Sequence, residues 1–145
     1  MMAIKATLPE DTPYAMVNKA HNVLGIAQHT LDAKIAAKQK QFDEAAKHLT
    51  AAVEMQDHLN YIEPPDWLAS SRESLGAVLL AQGNFAEAEK VFRQDLERNP
   101  RVGRALIGLH ESLVRQHKDH EASLVERQLK AAWKDADTQL SADSL

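Results

Sequence analysis

The chain contains no cysteine, which removes a disulfide framework, a thiolate zinc site and a cysteine nucleophile from consideration. No apolar run reaches the roughly 18 residues that a bilayer span needs, and MMAIKATLPEDT offers no continuous apolar stretch of the secretory-leader kind. A cytoplasmic protein is therefore the expectation. Basic excess is also missing: 17 basic residues face 21 acidic ones, for a net charge of −4, so nucleic acid is not an expected partner. The five glycines are dispersed and form no phosphate-cradling loop, and neither a Gly-x-Ser-x-Gly elbow nor a His-Glu-x-x-His helix is present. These absences exclude the familiar catalytic constellations, and the chain reads as a non-enzyme with no cofactor.

What is present is helical periodicity. Aromatic residues make up only 5% of the chain; alanine and leucine dominate, which suits closely packed helices rather than sheets. After a flexible lead-in over 1–12, Thr12-Pro13 reads as an N-cap and first helical position. Met16, Ala20, Val23, Leu24, Ala27, Leu31 and Ile35 then predict one long amphipathic helix to about Lys38. Past the polar turn Gln39-Lys40-Gln41, Phe42, Ala45, Ala46, Leu49, Ala52 and Val53 predict a second. Two adjacent prolines cannot sit inside a helix, so Tyr61 to Trp67 reads as an extended connector, with a helix resuming near Asp66. Leu75, Gly76 and Leu79 mark the next helix, Gln82-Gly83-Asn84 a turn, and Phe85, Ala88, Phe92 and Leu96 another helix that Asn99-Pro100 stops. Leu106, Leu109 and Leu113, then Ala122, Val125, Leu129, Trp133 and Ala136, line the last two. Residues 141–145 read as a frayed tail.

Leu75-Gly76, Gly83, Phe85, Ala88, Phe92 and Pro100 resemble the tetratricopeptide repeat at its characteristic offsets over a 34-residue unit. Arg72 and Asp95 depart from that pattern. The resemblance implies an all-α, right-handed solenoid of about three helical hairpins, or about six helices. Ala45, Ala88 and Ala122 set the repeat; the first interval is 43 residues, so an insert falls at the connector. The units are then about 26–59, 69–102 and 103–136, with the connector at 60–68, inside an array over 13–140. In the third unit, His110 stands where the second has Gly76. Tyr61, Glu63-Pro64-Pro65-Asp66-Trp67, Arg72 to Ala77, Asp95-Leu96, Asn99-Pro100, Ala132-Trp133 and Ala136-Asp137 further resemble the C-terminal portion of larger bacterial tetratricopeptide proteins of undefined function. That resemblance covers roughly Leu24 to Leu140, and implies either a natural short form or a fragment of a longer solenoid.

A solenoid of this kind implies a concave face lined by the first helix of each unit. The residues expected there are Lys34 and Lys38, Glu73, and Arg104, Glu111 and Arg115. The cations suit a carboxylate or an acidic peptide, because charge-assisted hydrogen bonds are the strong ones; the alternative is an ordinary solvated face. Tyr61, Pro64, Pro65 and Trp67 in the connector, with Arg72 one turn beyond, either contact a partner or serve as structural filling. His117 and His120, beside Asp119 and Glu121, are weak candidates for metal ligation. The function expected is a scaffold for an unidentified protein or peptide, with self-association through the array ends. The alternatives are a metal- or ligand-binding carrier using surface histidines, or a regulatory segment of a larger enzyme.

Overall fold

The computed structural model describes residues 7–138 and residue 141. Among them, a two-residue antiparallel pair, β1 (Pro13–Tyr14) with β2 (Asn18–Lys19), precedes six helices: α1 (Ala20–Lys38), α2 (Phe42–Asp57), α3 (Ser71–Gln82), α4 (Phe85–Arg98), α5 (Gly103–Val114) and α6 (Asp119–Ala132). The expected all-α class holds, with neighbouring helices packed in pairs. No helix among the described residues is long and apolar enough to cross a membrane. Half of the lead-in (residues 1–6), the last two residues of the expected array (139–140) and most of the tail (142–145) lie outside the described part. The chain divides between Ser71 and Arg72 into two compact units.

In the first unit, the helix expected from Thr12-Pro13 starts only at Ala20. The Thr12 hydroxyl donates to the Pro9 carbonyl at 2.7 Å instead of capping a helix, and Ala15 turns left-handed at φ +50°, which a right-handed helix cannot accommodate. The chain doubles back, and the Ala20 amide donates to the Thr12 carbonyl at 2.8 Å. Asn18, only 6% exposed, ties this turn to the connector. Its Nδ2 donates to Asp66 Oδ2 at 2.8 Å and to the Asn60 carbonyl at 3.1 Å, and its Oδ1 accepts from the Asn60 amide at 2.8 Å. The next helix likewise begins later than expected, at Ser71 rather than Asp66, where the Ser71 amide donates to Gln56 Oε1 at 2.9 Å.

The α1–α2 hairpin buries Ile26, Ala33 and Ala36 on one helix and Ala45, Leu49 and Ala52 on the other. Leu31 and Ile35, expected in the apolar stripe, are instead 46% and 49% exposed. Small side chains let two helix axes approach closely, so the alanine face makes the contact and the branched residues turn away from it.

In the second unit, Phe92 of α4 is fully buried. A β-carbon at Gly76 of α3 would come within 2.5 Å of its Cζ, and one at Gly108 of α5 closer still. The ring thus lies against bare backbone on two helices. Gly108 lies two residues before His110, the residue 34 positions beyond Gly76, and its contact is with Phe92 of the preceding helix.

All three hairpin turns share one backbone design. Lys40, Gly83 and His117 take positive φ of 60°, 79° and 58°. Each amide donates three residues back, to Ala37, Leu80 and Val114, at 2.9–3.0 Å. The following amides, of Gln41, Asn84 and Lys118, reach five residues back to Ala36, Leu79 and Leu113 at the same distances. That is the Schellman pattern of a helix C-terminus. It sits five residues before Ala45, Ala88 and Ala122, so turn and alanine recur together. Only the middle turn has the glycine that makes it conspicuous.

Candidate functional site

On α1, the helical spacing i, i+3, i+4, i+7 puts Leu31, Lys34, Ile35 and Lys38 on one face. All four are exposed, and neither lysine makes an ion pair among the described residues. The stripe follows from the packing: once Ala33 and Ala36 face α2, these four residues must face outward.

The charged residues expected in the second unit are placed differently. Arg104 Nε donates to Glu73 Oε1, joining α5 to α3. Arg115 lies 3.5 Å from Glu111 one turn back, and its guanidinium carbon sits 4.5 Å from the Phe85 ring centre. The structure brings Glu73 and Arg104 together, and Glu111 and Arg115. Their charges are engaged inside the unit, whereas those of Lys34 and Lys38 are not.

Within the connector, Tyr61 is 84% exposed, and its hydroxyl donates to Glu63 Oε1 at 2.6 Å, which holds the phenol proton above its ordinary range. Pro64 and Pro65 are exposed, and Trp67 is half-buried. Arg72 is buried in the first turn of α3. Exposure thus divides the group: Trp67 and Arg72 are largely withdrawn from solvent, while Tyr61 and the prolines are accessible.

His117 occupies the left-handed turn position, and His120 is exposed in the first turn of α6. Among the described residues, no three histidine or acidic side chains converge as a metal group. An unforeseen encounter lies elsewhere, where His29 Nδ1 and His48 Nδ1 approach to 3.1 Å across the α1–α2 hairpin. Their 19-residue separation across a turn of unknown geometry hid this from the sequence.

Two further features of the second unit were missed. Adjoining grooves of about 380 and 640 Å³ share Leu96 and Gln128. One runs between α4 and α6 over Leu109, Leu124 and Val125; the other passes Pro100, Arg101 and Leu106. Near the first, buried Glu89 accepts from Lys118 at 2.6 Å and from Arg93 and Gln116 at 2.9 Å. Burial raises its carboxyl, but those three donors together outweigh burial and hold it below the ordinary glutamate value. Arg93 also reaches Glu121 at 2.6 Å. The network ties α4 to the start of α6 and to the turn before it.

Comparison with known proteins bears on the segment around α3 and α4. No curated protein and no solved structure matches the chain. Residues 68–102 match the family model described as tetratricopeptide repeat. The matched stretch holds the Phe92–Gly76 contact, the Gly83 turn, buried Ala88 and the Pro100 stop, the features from which the helix pair is built. Repeats of this family generally serve protein–protein interaction and are typically non-catalytic. Between residues 68 and 102, therefore, this chain carries a tetratricopeptide repeat.

Proposed function

We propose that the chain is a non-catalytic interaction module whose partner is an acidic, apolar protein segment received on the outward face of α1. The observation that carries this reading is the stripe of exposed Leu31 and Ile35 beside Lys34 and Lys38. Apolar side chains gain from being covered, and two lysines without ion-pair partners among the described residues supply charge complementarity to carboxylates. Taken by itself, the first-helix face of the second unit, with Glu73, Arg104, Glu111 and Arg115, is a pre-paired surface that offers shape more than free charge. Tyr61, Pro64 and Pro65 offer a further accessible contact.

The test is fluorescence polarisation with synthetic peptides in which leucines alternate with glutamates, set against the same peptides carrying lysine. Only the acidic set is expected to bind, with an affinity that falls as salt rises. Lys34→Glu/Lys38→Glu should weaken binding about tenfold or more, the scale of about 1.4 kcal/mol. Arg104→Glu/Arg115→Glu should change it far less. Equal binding of both peptide sets, or indifference to reversal at Lys34 and Lys38, would overturn the proposal.

A further inference from the structure

We propose that His29 and His48 form a two-imidazole site for a divalent transition cation, with Cu²⁺ the preferred ion. Their Nδ1 atoms lie 3.1 Å apart, with ring centres separated by 5.4 Å and planes tilted by 42°. Two neutral imidazoles at this distance share one proton between facing lone pairs, and a cation can take the place of that proton. With metal–nitrogen bonds of about 2.0–2.1 Å, nitrogens this far apart subtend about 100° at the ion. That angle suits neighbouring positions of the tetragonal geometry that Cu²⁺ and Ni²⁺ adopt, and imidazole is a good ligand for both.

The surroundings support the same assignment. Glu44 Oε1 lies 3.6 Å from the other ring nitrogen of His48. A carboxylate there favours a proton on Nε2, which leaves the Nδ1 lone pair aimed at His29. Histidines that bind metals characteristically present their second ring nitrogen to such a group. In the metal-free hairpin His29 is then the Nδ1–H donor, and cation binding removes that proton from Nδ1, to solvent or to the other nitrogen of the ring. The two ligands stand on helices already held together by Ala33, Ala36, Ala45 and Ala52, so little ordering remains to be done on binding. The His48 side chain is 27% exposed, enough for a hydrated ion to enter. With no third histidine or acidic ligand converging among the described residues, water completes the coordination.

The experiment is calorimetric titration of the full chain with Cu²⁺, Ni²⁺ and Zn²⁺, joined to electron paramagnetic resonance of the stoichiometric Cu²⁺ form. One ion per chain is expected at the tightest site, with Cu²⁺ bound most strongly and two imidazole nitrogens in its spectrum. His29→Gln and His48→Gln should each weaken Cu²⁺ binding by about tenfold or more and reduce the spectrum to a single nitrogen. Glu44→Gln should weaken it without changing the nitrogen count. His117→Gln/His120→Gln serves as the control and should leave both readouts unchanged, and circular dichroism of each variant separates ligand loss from unfolding. Should either hairpin variant unfold, the wild-type spectrum still decides. A one-nitrogen wild-type spectrum, unchanged affinity in folded His29→Gln, or no saturable binding would overturn the assignment.

Discussion

The α1–α2 hairpin and the second unit reach close helix packing by opposite means. The first pairs alanine with alanine, Ala33 and Ala36 on one helix and Ala45 and Ala52 on the other. The second drives one phenylalanine ring against two glycines, Gly76 and Gly108. Carried through the repeat register, the position of Phe92 becomes Leu49 in the first hairpin, which is buried, and Glu126 in the last, which is half-exposed. A ring against bare backbone leaves a residue signature that a family pattern can hold. An alanine seam leaves almost none, since alanine is common on every face of this chain. The difference also reaches the surface, because committing the alanines of α1 to the interior exposes Leu31 and Ile35.

Phe92→Ala should therefore have the largest effect on stability. The side chain fills a site closed by backbone on two helices, so little collapse is available and a loss of about 3–5 kcal/mol is expected. Leu49→Ala in the first unit should cost less, toward the lower end of about 2–5 kcal/mol, because short alanines around it can close in. Urea denaturation checks this, with fluorescence of Trp133 reporting on the second unit and that of Trp67 on the first. Equal losses would mean that the two packing modes are energetically equivalent, despite their different appearance.

The next effect in size concerns Glu89, whose network has no counterpart among the described ion pairs of the first unit. Because its folded carboxyl is held below the unfolded value of about 4.3, its contribution is present in full above that pH. It is lost as pH falls through the folded-state value. Glu89→Gln should cost about 2 kcal/mol at neutral pH, the scale of hydrogen bonds to a buried charge. The penalty should shrink steadily below about pH 4.3. Denaturation midpoints of the wild type and variant across that range check the sign. A penalty that stayed constant with pH would assign the loss to packing rather than to the carboxylate.

The same contrast accounts for how much could be read in advance. Gly76, Gly83, Phe85, Ala88, Phe92 and Pro100 each have a local physical reason for their residue type, and the pair α3–α4 was legible from them. The start of α1 was not, because Thr12-Pro13 satisfies the local rules for a helix start. What overrides them is non-local: Asn18 bonding to Asn60 and Asp66 across more than 40 residues. The α1 stripe was half legible. Lys34 and Lys38 follow from spacing, but the same spacing puts Leu31 and Ile35 inside, since hydrophobicity alone cannot say that an alanine face will win the contact. The His29–His48 encounter depended on the rotation of two helices about their axes, which no pattern within either helix specifies.

The smallest expected effects lie in the turns, where the three hairpins agree most closely in backbone and least in sequence. Lys40, Gly83 and His117 occupy one left-handed conformation, which costs a residue with a β-carbon about 1 kcal/mol and glycine almost nothing. Gly83→Ala should accordingly destabilise by about 1 kcal/mol. Lys40→Gly and His117→Gly should each stabilise by a smaller amount, roughly 0.5 kcal/mol, since the added freedom of glycine in the unfolded chain offsets part of the relief. Thermal melts of the three single variants and of the double glycine variant check these values. If Lys40→Gly and His117→Gly gain equally, the turns are interchangeable and the contrast between the units resides in their cores. If only His117→Gly gains, the α1–α2 turn is relieved by contacts of its own, and the first hairpin differs from the others in its closure as well as its seam.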